Sequence, residues 1–350
     1  LLLSASENAL SIDSQLISID SLINNSLKGI FLMQKFNREH IRATAKELSN
    51  WGRWGDDDQI GTLNNISPAD IVSAAQLIKK GKTFALGLDL KQKIQSGLFG
   101  GRWNMIHQML ATGTDAVTGE QDGDGSAYLR YADDAINLPC QGSTQWDALC
   151  HIFLDDKMYN GYSATEVTVN GAKKLGIEHV RDKMVGRGVL LDVARMKGVE
   201  YLEDGYAISN EDLDACAEHQ GVNVGKGDFV IIRTGQQEKC IRNEDWTGYA
   251  GGDAPGLSFN TAHWLREKDV AAICSDTWGC EVRPNETNEA NQPWHWVVIP
   301  AMGISMGEIF YLKELAEDCA TDGIYDFFFC APPLHIPGAA GSPINPLAIK

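Results

Sequence analysis

Residues Gln141–His151 read QGSTQWDALCH. In an extended segment, alternate side chains point to the same face, so Gln141, Ser143, Gln145 and Asp147 would converge there. His151 follows the carboxylate by four residues. Two amides, a hydroxyl, a carboxylate and an imidazole thus gather where the neighbouring residues suggest a buried strand.

Working outward from this stretch, the chain alternates α and β signals. Residues 67–81, SPADIVSAAQLIKKG, predict a helix that Ser67 caps, Pro68 opens, Asp70 completes as a capping box and Gly81 stops. A second helix begins at Ser209, with Asp212 three residues on, and ends near Gly221. A short third helix is expected at 261–269, TAHWLREKD. Strands are expected at 82–90 (KTFALGLDL), 188–194 (GVLLDVA), 227–235 (GDFVIIRTG), 270–276 (VAAICSD), 294–303 (WHWVVIPAMG) and 326–333 (DFFFCAPP). No repeat or low-complexity linker interrupts the series, which points to one α/β domain over 33–350. Residues 1–32 read as an extension, non-native or docking on a partner subunit, with apolar residues at Leu16, Ile17, Ile19, Leu22 and Ile23 that permit an amphipathic helix. They lack the basic start and small-residue cleavage site of a signal peptide.

Composition narrows the function. A net charge of −17 argues against binding nucleic acid or anionic membranes through a basic patch, and favours a small-molecule substrate. No apolar run approaches the ~20 residues needed to span a bilayer. The eight cysteines form no C-x-x-C pair and no zinc-finger spacing, as expected of thiols in a reducing cytoplasm. Dinucleotide-binding and Walker motifs are missing, as is the G-x-S-x-G nucleophile elbow. Cys150 beside His151 does not make a thiol dyad, because sequence neighbours in a strand face opposite ways.

The opening stretch resembles the H-x-G-T-H-x-D-x-P-x-H signature of the cyclase-like hydrolases, the family that includes bacterial kynurenine formamidases and isatin hydrolases. The positions that align are Gln141, Ser143, Thr144, Gln145, Asp147, Leu149 and His151. The likeness extends through residues 50–68, GRWNMIH at 101–107, 255–281, 295–315 and GSPINPLAI at 341–349. It implies an α/β fold with a mixed sheet or barrel-like core and outer helices. It also implies a homodimer or homotetramer. Carried over by position, Asp147, His151, His295 and Glu308 are the catalytic candidates, and Asp147, His295 and Glu308 the metal candidates. Gln141 and Gln145 stand where the family has histidines, and are assigned to substrate, with His107, Trp103, Asp276 and Trp278 as further pocket residues. An amide oxygen is a neutral, hard ligand, so a retained ion would be manganese or magnesium rather than zinc.

Three readings stay open. A metal-assisted or His/Asp-assisted hydrolase would cleave a carbon–nitrogen bond in a small amide, lactam or formamide. A metal-independent cyclase, dehydratase or ring-opening enzyme would use Asp147, His151 and His295 alone. A binding protein would keep the pocket and lack the chemistry. Taken singly, His151 and His295 suit core positions and Asp147 suits a turn cap. Trp51 and Trp54 suit either a pocket wall or the core, and His179, His219, His263 and His335 read as structural or solvent-facing.

Overall fold

The computed structural model describes residues 36–95, 100–123 and 129–350. The extension read at 1–32 lies outside these residues. Among the described residues, nine strands build the main sheet: β1 (Thr83–Ala85), β2 (Gln145–Asp147), β3 (Val185–Asp192), β4 (Phe229–Arg233), β5 (Ala272–Ser275), β6 (Ser305–Glu308), β7 (Asp326–Cys330), β8 (Gly341–Pro343) and β9 (Leu347–Ile349). They lie side by side in the order β1-β9-β7-β3-β4-β5-β6-β2-β8. Strands β3 to β6 are parallel, and every other pairing is antiparallel. The apolar runs read at 188–194, 227–235 and 270–276 supply three of the parallel strands, as expected for strands covered on both faces.

The order forces the sheet to curl. Strands β8 and β9 are consecutive, joined only by residues 344–346, yet they sit on opposite sides of the sheet. The few residues between them reach at most ~14 Å, whereas the intervening strands of a flat sheet would hold them ~34 Å apart. The curl is tied by the segment after β1. Tyr311 N donates to Leu86 O at 2.9 Å and Leu88 N to Thr144 Oγ1 at 2.8 Å, beside β6 and β2.

The concave side is filled by aromatics. Trp146 of β2 lies 5.8 Å from the Phe310 ring and 6.4 Å from the rings of Phe229 and Phe329. Contacts between such distant strands require the sheet to wrap around them. Gly307, the register partner of Trp146, has to be glycine. A Cβ there would stand 2.8 Å from Trp146, Phe310 and Cys274 alike. Because side chains alternate, Gln145 and Asp147 of β2 and Glu308 of β6 point to the opposite, convex side.

The outer layer includes α1 (Arg38–Leu48), α2 (Pro68–Ala75), α3 (Asn210–Gln220), α4 (Thr261–Lys268), α5 (Pro293–Val298) and α6 (Lys313–Asp322). Both expected capping boxes form, Ser67 with Asp70 and Ser209 with Asp212. Helix α2 stops at Ala75, short of Gly81, because Leu77 and Ile78 bond to carbonyls three residues back and tighten the last turn.

Two sequence readings are corrected. Residues 294–303 were expected to form a strand, but they begin as helix α5, its N-terminal amides held by the distant Glu281 carboxylate. An apolar run of this length does not distinguish a strand from a buried helix. The extended stretch from Gln141 is also shorter than expected. A turn closed by Gly142 N to Pro139 O precedes β2, so Gln141 leaves the shared face and donates to Ala340 O at 3.1 Å.

Candidate active site

The site forms where the convex face of β2 and β6 meets helix α5. Register places Gln145 opposite Glu308 and Asp147 opposite Met306, so two carboxylates and an amide emerge from adjoining strands. Helix α5 brings His295 over them. Its orientation comes from Glu281, whose Oε1 meets His295 Nδ1 at 2.5 Å and accepts the His295 amide at 3.1 Å, while Oε2 accepts the Trp294 amide at 3.2 Å. One carboxylate thereby caps the helix and aims the imidazole. His295 Nε2 then faces Glu308 Oε1 at 3.3 Å, and Glu308 Oε2 accepts from Gln145 Nε2 at 2.6 Å.

Asp147, His295 and Glu308 are all buried, and one ligand atom from each lies within 4.8 Å of the others. Asp147 Oδ1 and Gln145 Oε1 are buried without a hydrogen-bond partner, and His151 Nε2 stands 3.7 Å from Asp147 Oδ1. Orphaned oxygens beside two carboxylates are what a site for a cation leaves exposed when nothing is bound. These residues suit a divalent ion, and the oxygen-rich set with a single imidazole suits a hard one.

Electrostatics agree with that deficit of positive charge. Burial, reinforced by Glu308, drives the Asp147 carboxyl well above the usual range, against the pull of His295 and Arg102. Burial alone would lower His295, but Glu281 and Glu308 overcome it and raise its pKa to about 10. His151 goes the other way: burial, then Arg102 and His295, lower it to about 3 and keep it neutral.

A pocket of about 290 Å³ opens onto this cluster, lined by Asp147, His151, His295 and Glu308 together with Arg102, Trp278 and Trp296. A larger, more open cleft of about 870 Å³ lies by Phe84 and Tyr311, and among the described residues its lining includes no imidazole. Of the sequence-predicted residues, Gln145 meets the cluster through Glu308, and Trp278 walls the pocket. Three others stand elsewhere. His107 pairs with Asp134 at 2.8 Å on an exposed hairpin, and Trp103 donates to Asn137 at its base. Asp276 is buried outside the pocket lining, where it accepts from Thr234 N and Oγ1 and from Gly235 N. Trp51 is 44% exposed and donates to Pro300 O. Cys150 is buried with its thiol pushed up to about 12, which removes it as a thiolate. Glu281 and Arg102 went unnoticed in the sequence, although both sit in quoted stretches, beside Cys280 and Trp103.

Comparison with known proteins now places the chain. A solved structure described as a novel cyclase is 39% identical, with a TM-score of 0.78 over 86% of this chain and 99% of its own. The sequence model of the Cyclase family matches residues 66–282. This chain belongs to the Cyclase family. Isatin hydrolase A from Ralstonia solanacearum shares the fold, with a TM-score of 0.57 at 16% identity over 81% of this chain and 98% of its own. An isatin hydrolase bound to the product analogue thioisatinate does likewise, with 0.54 at 16% identity over the same shares. No curated protein matches the chain. The mixed, curled sheet with outer helices is thus the Cyclase arrangement. Among the described residues, no helix is long and apolar enough to cross a membrane.

Proposed function

We propose that this Cyclase-family chain is a hydrolase of a carbon–nitrogen bond in a small amide, lactam or formamide. The observation that carries the reading is the buried Asp147–His295–Glu308 cluster lining a pocket, with Asp147 Oδ1 unpartnered. Those three residues would hold a divalent ion, manganese or magnesium in preference to zinc given the donor set. When bound, such an ion would polarise a carbonyl and bring the pKa of its water below the 15.7 of bulk water. The chain's own groups do the rest. Glu281 fixes the face of His295 and Gln145 fixes Glu308. His151, neutral at the pocket's side, accepts a hydrogen bond from the attacking water and orients it, while the Asp147 carboxylate, with its raised pKa, passes the water's proton to the departing nitrogen. Trp278 and Trp296 wall a space suited to a small planar substrate.

One observation favours a metal-free reading. Gln145 already occupies Glu308 Oε2 at 2.6 Å, which leaves that carboxylate fewer free lone pairs. An imidazole alone supplies only ~10²–10⁴-fold, enough for dehydration, cyclisation or opening of a strained ring. Isatin, which the fold neighbours named above hydrolyse, is a cyclic amide, and this supports the lactam class. We further propose a homodimer or homotetramer working on a small molecule in the cytoplasm. The exposed hairpin carrying Ile106, Met109, Leu110 and Ile136 supports self-association, to be read by light scattering.

The test is metal analysis of the purified protein, then turnover on cyclic amides and formamides with and without chelator. Asp147→Asn is expected to lower turnover by orders of magnitude with little change in melting temperature, and His295→Ala to lower it as far while also costing stability, because the Glu281 and Glu308 carboxylates lose their partner. Wild-type turnover in both would end the assignment.

A further inference from the structure

Among the described residues that line the pocket, Arg102 is the single Arg or Lys. It belongs to neither the acid–base cluster nor the proposed metal set. Its guanidinium lies 5.2 Å over the Trp278 ring, and its Nη1 donates to Gln141 O at 3.4 Å. Both anchors are rigid. Trp278 is 4% exposed, and Gln141 is tied by its side chain to Ala340 O at 3.1 Å. A guanidinium is a planar fork of N–H donors, the geometry that meets a carboxylate with two parallel hydrogen bonds. The same pocket offers aromatic surface from Trp278 and Trp296 and a volume of about 290 Å³, the scale of one or two fused rings.

We propose that Arg102 is the specificity residue of this pocket and that it selects planar aromatic amides bearing a carboxylate over neutral ones. The proposal rests on the hydrolase reading for the word amide, while recognition of the carboxylate stands on the pocket alone. The aromatic ring lies against Trp296, its carboxylate meets Arg102 above Trp278, and the scissile group faces Asp147 and His295. Arg102 binds substrate and takes no part in proton transfer.

The full chain is titrated with benzoate and with its neutral isostere benzamide, read by tryptophan fluorescence, once with Mn²⁺ and once with chelator. Wild type is expected to bind benzoate roughly 10-fold or more tighter than benzamide in both conditions, the size of one charge-assisted contact. Arg102→Gln is expected to abolish the preference while benzamide binding stays within about 3-fold, which also reports an intact pocket. Arg102→Lys, which keeps the charge without the planar fork, is expected to fall between them. Equal affinities in wild type overturn the proposal. So does a preference that survives Arg102→Gln, or one that appears only with Mn²⁺, where the ion would be the anion's partner. Turnover of 4-formamidobenzoate against formanilide separates the two readings. Benzoate preference without turnover of either sinks the hydrolase and leaves the Arg102 site standing. Turnover of both with equal KM sinks the Arg102 site and leaves the hydrolase.

Discussion

Glu281→Gln is the substitution that most directly tests how the site is assembled. The side chain keeps its length, but one oxygen becomes an NH₂ and the charge is lost. In the native arrangement Glu281 accepts from His295 Nδ1, from the amides of His295 and Trp294, and from Asn285 Nδ2 at 3.3 Å. Removing one charge from a buried pair costs ~3–5 kcal/mol. The remaining amide oxygen retains some of these bonds, so the expected loss is the low end, about 3 kcal/mol. The pH dependence should change as well. The folded pKa of His295, about 10, lies above its ordinary value of 6.5. Its protonated form therefore adds stability that is complete below about 6.5 and is lost as pH rises towards about 10. With Gln at 281 the upper pKa falls, so the decline in stability between those limits should shrink. Orientation matters for binding too, and loss of such a supporting carboxylate costs ~10–100-fold in metal affinity. Denaturant melts from pH 6 to 10 and Mn²⁺ competition against a chelator read all three effects. Unchanged stability, unchanged pH slope and unchanged Mn²⁺ affinity would refute the claim that Glu281 sets the imidazole.

Gln145→His should raise zinc affinity, because this side chain faces Glu308 within the cluster; Gln141→His should not, because that residue turns out of the pocket, and isothermal titration with zinc distinguishes them. Gly307→Ala should destabilise by ~1–3 kcal/mol through overpacking against Trp146, measurable in urea. His151 has a folded pKa of about 3 against 6.5 unfolded, so as pH drops below about 6.5 the unfolded chain gains a proton that the folded one refuses. Stability should therefore fall between those values, and His151→Asn should flatten that acid limb in thermal melts.

Much of this architecture was legible because it is local. The capping boxes at Ser67 and Ser209 and the apolar runs of β3, β4 and β5 announce themselves within a few residues. So did the acid and imidazole set, once the resemblance tied Asp147 to His295 and Glu308. What escaped was set by distant groups. Helix α5 was misread because its cap, Glu281, is thirteen residues upstream of Trp294. Gln141 left the strand face because a turn, and a carbonyl 199 residues away, claimed it. Arg102 was passed over for Trp103 and His107, since nothing in that stretch says which of its side chains will meet β2 and which will lie on the exposed hairpin.

The placement of β8 and β9 on opposite flanks of the sheet bears on the order in which the molecule is made. A nascent chain emerges from the ribosome N-terminus first, so β2, with Gln145 and Asp147, is synthesised nearly two hundred residues before β8, which covers its outer edge. Until residues 341–349 arrive, the strand bearing the reactive carboxylate is an open sheet edge, a template for pairing with other chains. The same nine residues also supply β9, the neighbour that β1 and β7 await. Pairing of the outer edge of β2 and filling of the gap between β1 and β7 are therefore one late event, which waits for residues 341–349 to be made.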